Sequence, residues 1–305
     1  MNKNDLPSQK RDKKRNFSTF ITDLKSLFKA GVLLANVLPV FTGFWLALHV
    51  SNQTFLDNLN LFILTIIGST LVMAGALVIN NWYDVDIDTV MARTQKRPTV
   101  TGHFSLKLVL AIGIGLSIIG FIFLFFTTIE AVFYAFIGWF TYVVLYTMWS
   151  KRRYTLNTVI GSVSGAVTPL IGWTAIIPGL PLLPIVLFMI IFIWQMPHTF
   201  SIAIKKHDEY KAAGVAMLPV VRGFDVTKRQ MFVYIACLLP LPIFLVQLGT
   251  TFIIIATALN IGWLVLAIRG FFTKNDLKWA HANFLYSVNY LTIIFLLMII
   301  ITIPF

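Results

Sequence analysis

The chain has 305 residues, of which 58% are hydrophobic and 12% are charged, and its net charge is +12. The apolar share exceeds the roughly 45–50% of soluble domains, which excludes a soluble globular protein and predicts a polytopic membrane protein. A single cysteine excludes a disulfide framework, and we interpret Cys237, which lies in an apolar run, as a small core residue.

Residues 1–27 are predicted to form a cytoplasmic basic tail that precedes a single transmembrane domain, residues 28–305. Residues 1–16 are polar and basic and are predicted to be disordered. Apolar side chains recur at helical spacing over residues 17–28, which is typical of a short helix lying in the membrane interface. The alternative is that this segment starts the first membrane span.

Apolar runs of about 20 residues, the length that a helix needs to cross a bilayer, occur nine times along the chain. We therefore predict an all-α membrane protein, a bundle of nine transmembrane helices at residues 28–49, 61–83, 106–125, 130–149, 157–177, 182–204, 230–248, 250–268 and 283–303.

The cations are confined to one side of this predicted bundle. All 24 Lys and Arg residues lie in the tail or at the connections between spans 2 and 3, 4 and 5, 6 and 7, and 8 and 9. By the positive-inside rule the N-terminus is cytoplasmic and the C-terminus external. Because this rule accounts for every cation, the basic net charge does not indicate nucleic-acid binding. Except for Asp57 and Glu130, the acidic residues share the cytoplasmic side, so we expect the active site there, in a plasma membrane.

The segment NNWYDVDID, residues 80–88, places carboxylates and amides at the end of an apolar run, where charge is costly and a functional site is expected. Asn80, Asp84 and Asp88 recur every four residues and so share one helix face. Their oxygens suit Mg²⁺, which takes one or two protein carboxylates and completes its shell with water and phosphate. Three cations follow that can contact phosphate, namely Arg93, Lys96 and Arg97. The structural alternative is that the carboxylates simply pair with these cations.

The connection between spans 6 and 7 repeats this mixture of acid and base over Lys205, Lys206, His207, Asp208, Glu209 and Tyr210. A third basic element, Lys151 to Arg153, lies on the same side and is either a solvated flank or part of the site. Two acidic clusters beside cations, at the mouth of an apolar bundle, suit a ligand with a diphosphate head and a long hydrocarbon tail. Aromatic faces such as Tyr83, Tyr146 and Trp149 either stabilise an allylic cation or pack as ordinary core.

These residues resemble the UbiA-type intramembrane prenyltransferases, whose mark is NxxxDxxxD. The longer string NxxYDxDID followed by MxRTxxRP, from Asn80 to Pro98, is similar to the haem-farnesylating branch of that family. The resemblance extends over most of the chain, to YTxxxKR at 146–152, Asn157, the glycines before Trp173, PH at 197–198 and DEYxxAGVxMLPVV at 208–221. The chain departs from the family pattern at four positions. Ala212 stands in place of a second aspartate, Met196 and Thr199 stand where the haem branch often reads PPHF over 196–199, and Ala216 stands where that branch often has proline.

The resemblance implies farnesyl transfer from farnesyl diphosphate to a vinyl group of haem B, with addition of water, to give haem O and diphosphate. It implies that Asn80, Asp84 and Asp88 are the catalytic residues and hold Mg²⁺, with Asp208 in a second metal contact. His198, which lies within an apolar span, is the best candidate to touch haem, and its alternative role is a hydrogen bond inside the bundle. The substrate-binding residues implied are Arg93, Lys96, Arg97, Tyr146, Lys151, Arg152, Asn157, His198, Lys205, Lys206 and Tyr210.

The partners implied are farnesyl diphosphate, haem B and the lipid bilayer, with a downstream haem-modifying enzyme or terminal oxidase as recipient of the product. Two other functions remain open. A polyprenyltransferase that acts on an aromatic acid or quinone precursor would share the diphosphate chemistry and differ in its acceptor. An ion-coupled transporter would place ionisable groups in the middle of its spans, whereas here they cluster at one membrane face.

Overall fold

The computed structural model describes residues 17–303, which contain helices and turns and no strand. Residues 1–16, predicted to be disordered, lie outside the described part of the chain. The α-helices are α1 Phe17–Leu27, α2 Ala30–Ser51, α3 Leu59–Tyr83, α4 Val85–Val90, α5 Leu106–Phe125, α6 Ile129–Phe140, α7 Asn157–Ala166, α8 Thr168–Thr174, α9 Leu182–Lys205, α10 His207–Ala212, α11 Leu218–Leu238, α12 Thr250–Arg269 and α13 Asp276–Ile301. A π-helical segment, Thr141–Ser150, continues α6, and a 3₁₀ segment, Leu241–Leu248, follows α11.

Within residues 17–303, eight helical segments are long and apolar enough to cross a membrane, so the protein is a multi-pass membrane protein. These eight correspond to eight of the nine predicted spans. In the stretch that corresponds to span 7, a short helical turn from Leu218 precedes the main part of α11, and the two are separated at Gly223, whose φ of 78° breaks the helical geometry. The predicted count of nine crossings depends on the remaining segment, residues 157–177.

That segment is divided into two short helices, α7 and α8. Pro169 has no backbone N–H, so the hydrogen bond that would reach back to the carbonyl of Gly165 cannot form. The hydroxyl of Thr168 donates to that carbonyl instead, at 2.6 Å. Neither piece alone is long enough to span, and the ninth crossing therefore remains a prediction.

Small residues bring the helices that carry the candidate site into close contact. A Cβ added to Gly75 of α3 would lie 2.3 Å from Oγ of Ser117 on α5, and one added to Gly172 of α8 would lie 1.9 Å from the carbonyl oxygen of Val40 on α2. Such close approach provides the packing that drives helix association in lipid. Helices α3 and α8 are consequently held firmly against their neighbours.

Helix α1 forms where the spacing of its apolar residues predicted it. Leu27 is fully buried against Val78, Phe104 and Val109, and the amide of Asn81 donates to the Leu27 carbonyl at 2.7 Å. Helix α1 is therefore attached to the bundle, and its place in the membrane interface remains a prediction.

The interpretation of Cys237 as a core residue is wrong, because its side chain is exposed on α11. Its neighbour in the sequence, Leu238, takes the inward position on that helix and is fully buried.

Candidate active site

The acidic row lies where α3 ends and α4 begins. Asp84 joins the two helices, and the backbone keeps a four-residue hydrogen-bond step through it: Asp84 N–H donates to the Asn80 carbonyl and Asp88 N–H to the Asp84 carbonyl, both at 2.9 Å. This step stacks the side chains of Asn80, Asp84 and Asp88, which are all buried, with 1% exposure for Asp84. Two buried carboxylates and an amide therefore lie together at the C-terminal end of α3 and the start of α4.

Asn80 is the centre of a polar network in this row. Its Nδ2 donates to Asp84 Oδ2 at 2.7 Å and to Thr147 Oγ1 at 2.9 Å, and its Oδ1 accepts a hydrogen bond from Lys29 Nζ. Burial, followed by the charges of Arg97 and Lys151, holds the pKa of Lys29 well below its usual value. Three cations therefore converge on one small site.

Lys29 is a site residue that the sequence reasoning missed. It lies between α1 and α2 with a φ of 47°, in the left-handed region that non-glycine residues rarely adopt. This turn directs the chain from α1 into the first span while the ammonium reaches Asn80. The only sequence signal was a lysine at the boundary between the basic tail and the first span, which the positive-inside rule already explained.

Each carboxylate of the motif has a cation beside it. Lys151 Nζ binds Asp84 Oδ2, Arg97 Nη1 binds Asp88 Oδ2 at 2.5 Å, and Arg152 holds both oxygens of Asp86 at 2.5 and 2.7 Å. Burial opposes the charge of Lys151, but Asp84 outweighs it and raises the pKa of that ammonium. The structural alternative, pairing of acids with cations, thus describes the resting arrangement of the site.

One oxygen of the row is still available. Asp84 Oδ1 is buried without a hydrogen bond, and Arg152 Nη2 lies 3.7 Å from it. Within residues 17–303 no group of three or more His, Cys, Asp or Glu side chains is placed to hold a metal ion. The donors present are two carboxylates and the Asn80 amide oxygen, which fits a Mg²⁺ ion that completes its shell with substrate phosphate.

The second acidic element differs in its surroundings. The side chain of Asp208 is fully exposed and lies 2.9 Å from Nδ1 of His207, while Lys206 pairs with Glu209 at 2.6 Å. Tyr210 packs against a hydrophobic cluster that contains Ile87 of α4 and Val215, so residues of both loops share this cluster. The metal role of Asp208 remains a prediction.

Asn157 and the remaining cations are placed around this junction. Asn157 is buried, and its Nδ2 donates to the carbonyls of Lys151 at 3.2 Å and Ala216 at 3.0 Å. It therefore ties the loop of Lys151 to the loop that follows α10, and its contact with substrate remains a prediction. Arg93 and Lys96 are exposed, at the solvent side of the site.

An apolar cavity of about 230 Å³ lies directly beneath the acidic row. Ala76, one helical turn before Asn80, forms part of its wall, and Tyr146 connects it to the site, with Lys151 Nζ 5.8 Å from the centre of the tyrosine ring. Glycine at position 161 leaves room for that ring, since a Cβ there would lie 2.9 Å from it. The cavity is bounded by residues of α2, α3, α6, α7, α8 and α9 and by Tyr142 and Tyr146 of the π-helical segment.

His198 does not line this cavity, although its neighbour Thr199 does. Its Nδ1 lies 2.8 Å from Oγ of Ser287 on α13, and its ring stacks on Trp194 at 4.6 Å between centroids. The hydrogen bond inside the bundle, the alternative role for His198, is therefore present, and its contact with haem remains a prediction.

Comparison with known proteins identifies the family of this chain. Residues 36–288 match the UbiA prenyltransferase family. The chain belongs to that family. It is 57% identical over 286 residues to the protoheme IX farnesyltransferase of Oceanobacillus iheyensis, covering 93% of this chain and 91% of the relative. It is 56% identical over 280 residues to protoheme IX farnesyltransferase 2 of Bacillus subtilis, covering 92% of each. The family and branch predicted from the motifs are thereby confirmed.

Solved structures share the fold at low sequence identity. A UbiA homologue from Archaeoglobus fulgidus bound to DMAPP and Mg²⁺ superposes with a TM-score of 0.69 at 16% identity, covering 90% of this chain and 99% of that one. A structure described for digeranylgeranylglyceryl phosphate synthase gives a TM-score of 0.71 at 19% identity, covering 93% and 98%. The all-helical UbiA fold predicted from the sequence is therefore confirmed.

Proposed function

We propose that this protein transfers the farnesyl group of farnesyl diphosphate to a vinyl group of haem B, with addition of water, to give haem O and diphosphate. The observation that carries the proposal is the buried row of Asn80, Asp84 and Asp88, with cations on it, at the mouth of an apolar cavity. The acceptor follows from identity above one half to proteins named protoheme IX farnesyltransferase.

The head of the substrate binds at the acidic row. Mg²⁺, when bound by Asn80, Asp84 and Asp88, neutralises the diphosphate and makes it a better leaving group. Lys151 and Arg97, which now pair with the carboxylates, are placed to hold the diphosphate oxygens, together with Lys29, Arg93, Lys96 and Arg152. The farnesyl tail extends into the cavity below.

The bond changes take place where the cavity meets the acidic row. The C1–oxygen bond of farnesyl diphosphate breaks with its electron pair on the departing diphosphate, and the terminal carbon of the vinyl group bonds to C1. Water adds to the cationic carbon next to the porphyrin ring and loses a proton, which leaves a hydroxyl group there. The face of Tyr146 stabilises the allylic cation as it develops, and the enclosing helices limit its capture by water.

In the membrane, we place the N-terminus and the active site on the cytoplasmic side of a plasma membrane. With α7 and α8 together forming the ninth crossing, the C-terminus is external. The confinement of all 24 Lys and Arg residues to the tail and alternate connections supports this orientation. A haem-modifying enzyme or terminal oxidase then receives the product.

The deciding experiment incubates membranes that contain the protein with haem B, farnesyl diphosphate and Mg²⁺ and measures haem masses. We expect a farnesylated, hydrated haem that disappears with chelator and in Asp84→Asn. The control Asp57→Asn, in the exposed connection between α2 and α3, keeps the activity.

Other products would contradict the proposal. Unmodified haem together with a prenylated aromatic acid would assign the protein to the aromatic prenyltransferases. Ion flux in proteoliposomes that Asp84→Asn abolishes, with no prenyl transfer, would assign it to the transporters.

A further inference from the structure

Helices α9 and α13 carry a polar and aromatic strip beside the cavity that the diphosphate site does not use. It consists of Trp194, His198 and Lys205 on α9 and His281, Phe284 and Ser287 on α13. Phe284 joins the strip, because its ring lies 5.3 Å from the imidazole of His198 and 4.8 Å from Nζ of Lys205. Lys205 Nζ in turn lies 2.8 Å from Nδ1 of His281. The imidazole of His198, which lies partly buried within the span of α9, is costly in a membrane bundle without a function.

The hydrogen bonds around His198 determine which ring nitrogen carries the proton. Oγ of Ser287 lies 2.6 Å from the Phe284 carbonyl and 2.8 Å from Nδ1 of His198. With its proton donated to that carbonyl, the hydroxyl accepts from Nδ1, which is then the protonated nitrogen, and Nε2 keeps its lone pair. Trp194 fixes the assembly further, by stacking on the imidazole and by donating from Nε1 to the Ser287 carbonyl at 2.7 Å.

Nε2 of His198 is left free to bind a ligand. Within residues 17–303 it has no hydrogen-bond partner, and it is not one of the buried side-chain atoms that lack one, so it is open to its surroundings. A neutral imidazole whose Nδ1–H is held by a hydrogen bond and whose Nε2 is open is the usual arrangement of a metal-binding histidine.

The distance along the strip matches the size of a porphyrin. Lys205 follows His198 by seven residues, or about 10 Å along the helix, and returns to nearly the same face. This is comparable with the distance from the iron of a haem to its propionate carboxylates. Lys205 and His281 lie at the end of the bundle where the positive-inside rule places the cytoplasm, where carboxylates remain in contact with water.

We infer that this strip is the binding site for the haem acceptor. Nε2 of His198 ligates the iron, Ser287 orients the imidazole, and Lys205 with His281 binds the propionates. The inference rests on the proposed function and extends it, since it separates the acceptor site from the diphosphate site. Gln195 and Thr199, on the adjoining face of α9, line the farnesyl cavity, so a porphyrin on the strip lies next to the prenyl chain.

The iron contact is tested by absorption spectroscopy of the full-length protein in lipid nanodiscs. We expect the wild-type protein to bind ferric haem B at least tenfold more tightly than iron-free protoporphyrin IX, with a histidine-ligated Soret spectrum. His198→Ala removes both the preference and the spectrum, and added imidazole restores the spectrum. Ser287→Ala weakens haem binding by about 10–100-fold, the usual loss when the group that orients a metal-binding histidine is removed. The control His49→Ala, which removes an exposed imidazole in the last turn of α2, changes neither the haem affinity nor the Soret spectrum.

The propionate contact is tested with haem dimethyl ester, in which both carboxylates are blocked. The wild-type protein prefers haem B over its ester, and Lys205→Met loses that preference, whereas Lys274→Met, an exposed lysine between α12 and α13, retains it. Binding of radiolabelled farnesyl diphosphate stays unchanged in His198→Ala and Ser287→Ala, which shows that these variants are folded.

Failure of this inference differs from failure of the proposed function. If His198→Ala keeps the haem spectrum and affinity while the wild-type protein farnesylates haem, the acceptor site lies elsewhere and the function stands. If His198→Ala loses the haem spectrum and affinity but no farnesyl transfer to haem occurs in any condition, the haem site is supported and the proposed function is wrong.

Discussion

The two acidic loops, after α3 and after α9, contain similar residues in very different surroundings. In the loop after α3, Asp84 and Asp88 are almost completely buried and each has a cation beside it. In the loop after α9, the side chain of Asp208 is fully exposed and its partner is a neighbouring histidine. A buried, paired carboxylate is held in position before substrate arrives, whereas an exposed one must be drawn in by the ligand. On the proposed function, the first loop therefore forms the preorganised half of the site and the second loop the adaptable half.

Asp84→Asn is expected to have the largest effect, because it removes the charge at the centre of the preorganised half. We expect kcat for farnesyl transfer to fall by about 100-fold or more, the range for loss of one preorganised electrostatic contact. Haem product mass against time measures it. Activity within a few fold of wild type at ordinary Mg²⁺ would show that the buried row is structural.

Asp208→Asn tests the adaptable half. We expect the rate of farnesyl transfer at ordinary Mg²⁺ to fall by about tenfold. The cause is an increased requirement for Mg²⁺, and kcat at saturating Mg²⁺ is not lowered. A Mg²⁺ titration of the initial rate distinguishes the two. A loss as large as that of Asp84→Asn, unrelieved by Mg²⁺, would remove the difference between the loops.

Lys29→Met examines the cation that lies on Asn80. Loss of one charged hydrogen bond to phosphate corresponds to about tenfold, so we expect KM for farnesyl diphosphate to rise by that factor with a smaller change in kcat. Lys25→Met, on the exposed face of α1, is the matched control. Equal KM values in the two variants would show that Lys29 serves only to form the turn between α1 and α2.

Asp86 provides the smallest expected effect. Partial burial raises its pKa, but the hydrogen bonds and charge of Arg152 lower it more, so the pKa lies below its usual value. The resulting stability is present above the unfolded pKa of about 3.9 and is lost as the pH falls through the lower folded value. Because this pair is 36% and 47% exposed, we expect less than about 1 kcal/mol.

The measurement for Asp86 is the difference in Tm between the wild-type protein and Asp86→Asn. The difference should be small and constant from pH 5 to 7, should decline as the pH falls below about 4 and should vanish only below the folded pKa. A difference that grows as the pH falls would mean that Asp86 is stabilised in its protonated form.

Local periodicity was sufficient to predict much of this molecule. The spans follow from apolar runs, and the alignment of Asn80, Asp84 and Asp88 follows from the four-residue step of a helix. The burial of that row and its cations did not follow, since contacts such as Lys151 with Asp84 join residues 67 apart in the chain.

Other features depended on tertiary detail that the sequence pattern does not contain. Lys29 required an unusual φ between two helices before it could reach Asn80. The break between α7 and α8 required the hydroxyl of Thr168 to replace the hydrogen bond that Pro169 cannot make. The direction of the His198 side chain depended on Ser287, a partner 89 residues away on α13.

Helix α1 links the N-terminal region to the candidate site. Leu27 anchors it to α3 through Asn81, and two residues later Lys29 reaches the acidic row. Shortening the chain as far as α2 would leave each residue of the family motif in place and still withdraw the Lys29 ammonium from Asn80. On the proposed function, the functional unit therefore extends upstream of residue 36, where the match to the family begins.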